Sequence, residues 1–205
     1  MNHPILIYDR DLADTLLKQR QMAGGDRFDE VWNGVYVMSP IANNEHQNLV
    51  SEIVAVCRTL VDWQGLGKTF AGANVTDRSD GWQENYRVPD VLVFSRDTSA
   101  IDLQTHWLGG PDLAIEIVSD GDRTYEKLDF YASVGTRELV IIDRQPWKLS
   151  LYSLSDNRLS LELISTLDHP IPIPSKLFPI CFQLQADPRQ LILGSYSQAV
   201  RSIAI

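Results

Sequence analysis

The 205-residue sequence predicts a single mixed α/β domain spanning 1–205, and three observations lead to that prediction. Segments with helical spacing of apolar residues alternate along the chain with segments of strand-like alternation. Positions 113–118 are apolar except for Glu116, which is typical of a central strand covered on both faces. A composition with 44% hydrophobic and 22% charged residues supports one compact core without disulfides or a structural metal.

The N-terminal region predicts a short helix followed by a hairpin. Leucines at helical spacing and acidic residues in the first turn indicate a helix over Asp9–Met22. Asn33-Gly34 is a strong hairpin signal, because both central residues of a type I′ turn need a positive φ angle. We therefore expect strands over 28–32 and 35–38 on either side of it.

The longest helical pattern in the chain comes next. It begins at Asn43 or Asn44, either of which can act as N-cap, and its apolar residues repeat at helical spacing until Gly65. Apolar and β-branched segments then predict strands over 69–75, 86–94 and 113–118.

The C-terminal third begins with a second helical pattern at Arg123–Val134, which Gly135 ends. We expect three strands after it, at 138–142, 149–154 and 159–164. Residues 187–200 are expected to form a closing helix.

Charge and cysteine usage limit the classes of function. The net charge of −9, without a basic cluster, argues against tight sequence-independent binding of nucleic acid, so any such role must depend on a local site. No apolar run is long enough to cross a bilayer, and no export signal is recognisable, so we expect no membrane association. Cys57 and Cys181 lie in apolar segments without a CxxC pair, which favours the reducing cytoplasm.

Two carboxylates stand on strands that should be apolar. Asp90 shares a pleat face with Leu92 and Phe94, and Glu116 shares one with Ala114. An unpaired carboxylate buried there would cost several kcal/mol or take up a proton, so something must compensate it. Hard divalent cations such as magnesium bind carboxylate oxygens and would compensate both acids if the strands are neighbours.

Lys127, eleven residues after Glu116, lies early in the following helix and could direct its ammonium group over the end of the strand. A metal, a water molecule and a lysine together suit attack on a phosphodiester, because each stabilises the charge that develops on the phosphate. An alternative is that Glu116 and Lys127 form a structural ion pair while Asp90 caps a turn.

Four ordered sequence blocks resemble the bacterial Uma-type family: VPDVLVF, GGPDLAIEIVSD, YEKLDFYASVG and ELVIID. The resemblance extends from about residue 29 to about residue 182. This family belongs to the PD-(D/E)XK restriction-endonuclease-like superfamily, so the resemblance implies a mixed central sheet flanked by helices. It also implies a metal-dependent endonuclease that acts on nucleic acid, DNA in the first instance.

The resemblance implies roles for individual residues. Asp90 matches the motif aspartate and Glu116 the second acid, which would bind Mg²⁺ or Mn²⁺ together with the carbonyl of Ile117. The lysine expected two residues after Glu116 is replaced by Val118, and Lys127 on the following helix takes its place. Glu30, in the hairpin segment, is a further candidate ligand or water-orienting group, although a solvated acid at a strand edge is the commoner case.

Three further questions stay open: the role of His46, the class of function and the oligomeric state. His46, in the first turn of the long helix, matches a family position, but surface or packing roles are commoner for such a histidine. Val118 and the net charge of −9 also allow a catalytically inactive binding or regulatory module, and a hydrolase of small phosphoesters is a third reading. A homodimer is plausible, with four tryptophans as candidate interface anchors: Trp63, Trp82, Trp107 and Trp147.

Overall fold

The computed structural model describes residues 4–39, 42–119 and 121–205. Its helices are α1 (Arg10–Met22), α2 (Asn44–Cys57) and α3 (Leu128–Ser133). A π-helical turn, Arg58–Asp62, continues α2, a 3₁₀ turn, Thr124–Lys127, precedes α3, and another 3₁₀ turn covers Trp82–Glu84. The strands are β1 (Ile5–Ile7), β2 (Glu30–Trp32), β3 (Val35–Met38), β4 (Gly67–Ala71), β5 (Val75–Thr76), β6 (Tyr86–Arg87), β7 (Val91–Ser95), β8 (Ile101–Asp102), β9 (Trp107–Leu108), β10 (Leu113–Ile117), β11 (Glu138–Arg144), β12 (Trp147–Ser155), β13 (Arg158–Thr166), β14 (Ile173–Pro174), β15 (Cys181–Ala186), β16 (Arg189–Gly194) and β17 (Ala199–Ala204).

The strands form three sheets. The central sheet has the order β13-β12-β11-β10-β7-β4 and is mixed, because β10 and β11 are parallel and the other neighbours are antiparallel. The N-terminal sheet, of short strands, has the order β1-β3-β2-β6-β5-β9-β8. The C-terminal sheet is β14-β15-β16-β17. The predicted mixed α/β class with a central mixed sheet is confirmed.

The central sheet is covered on both faces, as the apolar run of β10 predicts. One face packs against α2 and the C-terminal sheet through a large hydrophobic core. The other face packs against α3 and residues of the N-terminal sheet, such as Val75 and Trp107. Successive residues of β10 alternate between these two cores, so Glu116 belongs to the face of Ala114, beneath α3.

Local signals account for the first elements. The Asp9 side chain accepts a hydrogen bond from the backbone N–H of Leu12 and caps α1, and Asn43 caps α2 in the same way. Asn33 and Gly34 have φ angles of 50° and 83°, and they close the hairpin between β2 and β3 as predicted.

Two long strands predicted from the sequence are each divided between two sheets. The segment 86–94 becomes β6 in the N-terminal sheet and β7 in the central sheet, and 69–75 becomes β4 and the start of β5. Pro89 lies at the break between β6 and β7, where a residue without a backbone N–H cannot continue strand pairing. This break places Asp90 immediately before β7.

The closing helix predicted for residues 187–200 is wrong. The structure has the antiparallel strands β16 and β17 there, paired with each other and with β15. Leu191 and Leu193 are buried on one face while Ile192 between them is only half-buried, which is strand alternation rather than helical spacing. Pro188 and Gly194 bracket this short run, and that pattern is typical of a strand.

The tryptophans differ in exposure. Trp107 and Trp147 are buried in the two cores, which contradicts their expected role as interface anchors, whereas Trp63 is 74% exposed. Cys57 and Cys181 are buried free thiols, as predicted. In the described ranges, none of the helices combines the length and apolar character needed for a membrane span.

Candidate active site

Asp90 is held at the start of β7 by the neighbouring strand. Its Oδ2 accepts a hydrogen bond of 2.8 Å from the backbone N–H of Ile117, and His46 Nε2 lies 3.2 Å from the same oxygen. Val91 pairs with Ile115 and Leu92 with Ala114, so extending this register by one step places Asp90 opposite Glu116. The two acids therefore lie side by side at one end of the central sheet.

Glu116 lies near the end of β10 and is only 3% exposed. Its Oε1 accepts two hydrogen bonds, one of 3.0 Å from Lys127 Nζ and one from the hydroxyl of Tyr131. Lys127 and Tyr131 are four residues apart, so they lie on the same side of the helical segment and both reach Glu116. Glu116 is thus oriented through a single oxygen.

Lys127 connects the two layers that meet at the site. Its Nζ lies 2.9 Å from Glu30 Oε1 on the N-terminal sheet and 3.0 Å from Glu116 Oε1 on the central sheet. The lysine is buried, and the adjacent Phe130 and Tyr131 anchor α3 in the core. The ammonium group is consequently fixed between the two carboxylates.

Glu30 is not the solvated strand-edge acid that the sequence favoured, because it is only 3% exposed. Its Oε1 accepts a hydrogen bond of 2.9 Å from the backbone N–H of Val88, besides contacting Lys127. Its Oε2 accepts one of 2.6 Å from the indole of Trp32. Both oxygens of Glu30 are therefore occupied by protein donors.

Burial dominates the electrostatics of this cluster. It raises the pKa of Glu116 to about 8, against the opposing effect of the Lys127 charge and with smaller contributions from Asp90 and Glu30. Burial lowers the pKa of Lys127, but the charges of Glu116 and Glu30 outweigh it, so the net shift is upward and the lysine stays protonated. Burial and Glu116 hold the pKa of Tyr131 well above its usual value, so its hydroxyl remains a donor.

The acids line a cavity of about 1200 Å³. Asp90, Glu116, Lys127, Glu30 and His46 all contribute to its wall. The cavity continues along the exposed side of α2 as far as Trp63. The carboxylates therefore lie on the wall of a cavity somewhat larger than the roughly 300–1,000 Å³ of typical small-molecule sites.

The donor set at Asp90 and Glu116 suits a hard divalent cation. Within the described residues, Asp90 Oδ1 and Glu116 Oε2 accept no hydrogen bond, so each acid is positioned through one oxygen and presents the other. The N–H of Ile117 points toward Asp90, and the carbonyl of the same strand residue points to the same side. No group of three or more His, Cys, Asp or Glu side chains in residues 4–39, 42–119 and 121–205 has the arrangement of a metal site.

Two residues of the cluster take a larger part in it than their sequence context indicates. The sequence favours a core or rim position for Tyr131, although it lies four residues after Lys127 and hence on the same side of the helix. A packing or surface role is the commoner one for a histidine at the position of His46, yet it contacts Asp90. Its position three residues before the buried Leu49 and seven before Ile53 places it on the inward stripe of α2, which is the available signal.

Comparisons with known proteins agree with this fold. A crystal structure of a "putative nuclease belonging to DUF820" from Anabaena variabilis ATCC 29413 superposes with a TM-score of 0.57 at 23% sequence identity, over 71% of this chain and 81% of that chain. The match concerns the fold. No curated protein sequence matches the chain.

The family model described as "Putative restriction endonuclease", Uma2, matches residues 14–187. This range is wider than the segment of about 29–182 that the four sequence blocks define. The chain therefore belongs to the Uma2 family of proteins described as putative restriction endonucleases.

Proposed function

We propose that the protein is a divalent-metal-dependent endonuclease that hydrolyses phosphodiester bonds of nucleic acid, with DNA as the preferred substrate. The observation that carries the proposal is the side-by-side placement of Asp90 and Glu116, with Lys127 against Glu116, at the wall of an open cavity. Membership of the Uma2 family supports the same reading.

In this proposal Asp90 and Glu116 hold Mg²⁺ or Mn²⁺, and the carbonyl of Ile117 assists. Their unoccupied oxygens, Oδ1 and Oε2, match the preference of hard cations for carboxylates, carbonyls and water. The bound ion would lower the pKa of a water molecule and neutralise charge on the phosphate. His46 positions Asp90 from the side of α2.

Lys127 acts as a fixed positive charge rather than as a base. Its pKa is raised by the two neighbouring carboxylates, so the ammonium group retains its protons at neutral pH. From its place beside Glu116 it can donate a hydrogen bond to a phosphate oxygen and orient the attacking water. Glu30 is a positioning residue for Lys127, because protein donors already occupy both of its oxygens.

Cleavage of plasmid DNA in Mg²⁺, in Mn²⁺ and in a chelator tests the proposal. The wild type should cut only with metal, and Asp90→Asn should lose cleavage while keeping its thermal midpoint within a few degrees. Asp97→Asn, the same substitution at an exposed position outside the cavity, should cleave like the wild type. Equal cleavage by Asp90→Asn and the wild type would refute the assignment.

The same assay separates the remaining readings. The ion-pair network of Lys127 with Glu30 and Glu116 would also suit a catalytically inactive binding module on this scaffold, which predicts no cleavage in any metal. A hydrolase of small phosphoesters would leave DNA and RNA intact and cleave members of a small-substrate panel instead.

We further propose a single domain over 1–205, a cytoplasmic location and a homodimer. The buried thiols of Cys57 and Cys181 support a reducing compartment. Of the four tryptophans considered as interface anchors, Trp107 and Trp147 are buried and Trp82 is half-buried, so the homodimer proposal does not rest on these three. Sedimentation of the purified protein would test the dimer directly.

A further inference from the structure

The cavity that holds the acid cluster extends into a groove along α2. Its α2 wall includes a stripe of side chains spaced three or four residues apart, Gln47, Ser51, Val54 and Arg58, and ends at the exposed indole of Trp63 five residues further on. The stripe begins next to His46, which contacts Asp90. The groove is thus continuous with the proposed catalytic site.

Two guanidinium groups on the cavity wall form no ion pair within the described residues, although Arg27 lies over the ring of Phe28. Arg58 and Arg27 are exposed, and neither forms an ion pair with any residue that the structure describes. The same cavity wall carries six acids, so Arg58, twelve residues along the helix from His46 and away from the acid cluster, is a cation placed to contact an anion. Phosphate groups of a nucleic-acid strand are the anions that the neighbouring acid cluster would require.

Trp63 supplies the second requirement for binding a strand. It directly follows the π-helical turn and is 74% exposed at the far end of the groove. Aromatic rings stack on bases whose faces are free, and this contact tolerates any sequence. In a duplex those faces are covered by neighbouring base pairs, so an exposed indole favours a single-stranded segment.

We propose that the groove along α2 binds a single-stranded segment of the nucleic-acid substrate, with Trp63 stacked on an unpaired base and Arg58 on a phosphate. This inference rests on the proposed nuclease function. Trp63 follows His46 by 17 residues, so at about 1.5 Å per helical residue the indole lies roughly 25 Å along α2 from the contact with Asp90.

Binding assays in a chelator test the proposal, because no metal-dependent cleavage interferes. Fluorescence anisotropy with labelled dT20, rU20 and a blunt duplex of 20 base pairs should show tighter binding of single strands, with the first two probes distinguishing DNA from RNA. Trp63→Ala should weaken dT20 binding by roughly 5-fold to 100-fold, and Trp63→Phe should restore much of it. Tyr196→Ala, an equally exposed aromatic outside the groove, is the matched control.

The salt dependence tests Arg58 separately. Arg58→Gln should reduce the slope of log affinity against log salt concentration by about 0.7, the value for one phosphate contact on a single strand. Arg158→Gln, at an exposed arginine in the β12–β13 hairpin outside the groove, should leave the slope unchanged. An unchanged slope for Arg58→Gln would contradict the assignment of this arginine.

Equal affinity of Trp63→Ala and Tyr196→Ala for dT20 would overturn the inference, as would binding of the duplex in preference to both single strands. Neither outcome would contradict the proposed nuclease function. That function is tested separately, by comparing metal-dependent cleavage by the wild type and by Asp90→Asn. Conversely, a wild type that binds dT20 through Trp63 but cleaves nothing would leave the strand-binding groove established and remove the nuclease.

Discussion

The protein contains two buried carboxylate clusters of nearly the same composition. In one, Asp29 is surrounded by Arg20 and Tyr36. In the other, Glu116 is surrounded by Lys127 and Tyr131. Each combines an acid with an exposed fraction of 3% or less, a cation and a tyrosine hydroxyl. The chemical ingredients alone do not distinguish a structural cluster from a catalytic one.

The clusters differ in how completely their oxygens are used. Asp29 Oδ2 accepts from Arg20 Nε at 2.5 Å and from the Tyr36 hydroxyl, while Oδ1 accepts from Arg20 Nη2 at 2.9 Å and from the N–H of Ser39 at 2.8 Å. Glu116 uses only Oε1 within the described residues, and it faces the cavity, whereas Asp29 does not line it. We call the Asp29 cluster closed, because protein donors contact both carboxylate oxygens, and such a cluster stabilises the fold. We call the Glu116 cluster open, because one of its oxygens can still contact a ligand.

The largest effect is expected at the open cluster, on activity. Glu116→Gln should reduce metal-dependent DNA cleavage by about 10³-fold, because a metal ligand contributes several kcal/mol of charge stabilisation in the transition state. The amide can still accept from Lys127 and Tyr131, so the fold should persist. Single-turnover cleavage and a thermal melt measure the two properties side by side. Full activity in this variant would remove Glu116 from the catalytic site.

The matched substitution at the closed cluster should have the opposite profile. Asp29→Asn should lower the free energy of unfolding by about 3 kcal/mol, since one partner of a buried ion pair is lost and an amide N–H₂ then faces the donors of Arg20 or Ser39. Urea unfolding measures the loss. Cleavage by the folded fraction should stay near the wild-type rate, and an unchanged unfolding midpoint would show that Asp29 is dispensable to the fold.

The pH dependence of stability offers a finer comparison. Burial raises the pKa of Glu116 from about 4.5 to about 8, so the folded state binds a proton that the unfolded state releases between these values. In a chelator, the wild type should therefore lose stability relative to Glu116→Gln as the pH rises from about 4.5 to about 8. Above that range the difference should level off. A difference that is independent of pH would contradict a raised pKa.

Local periodicity predicts the part of the candidate site that lies on the central sheet. The alternation of Asp90 with Leu92, and of Glu116 with Ala114, placed each acid on a pleat face, and the neighbouring strands bring the two together. The helix after β10 likewise indicated that Lys127 lies near the strand end. These inferences needed only the period of a strand and the length of a connection.

The remainder depends on packing between layers, which the local sequence does not encode. Glu30 contacts Lys127 because the N-terminal sheet packs over the central sheet, a contact between residues 97 positions apart in sequence. The helix predicted for residues 187–200 is wrong because Leu191, Ile192 and Leu193 form a short apolar run that fits either structure until its strand partners are known.

The smallest effect is expected at the edge of the open cluster, at His46. Its Nε2 contacts Asp90 Oδ2, but the N–H of Ile117 holds the same oxygen at 2.8 Å, so the acid keeps one of its two positioning contacts without the imidazole. His46→Ala should lower cleavage by roughly tenfold, typical of a residue that orients a metal ligand. Metal titration of cleavage should show a weaker apparent affinity for Mg²⁺, and His46→Gln, which can still donate to Asp90, should recover part of it. If His46 serves only packing, both variants will lose thermal stability while the metal dependence of cleavage stays unchanged.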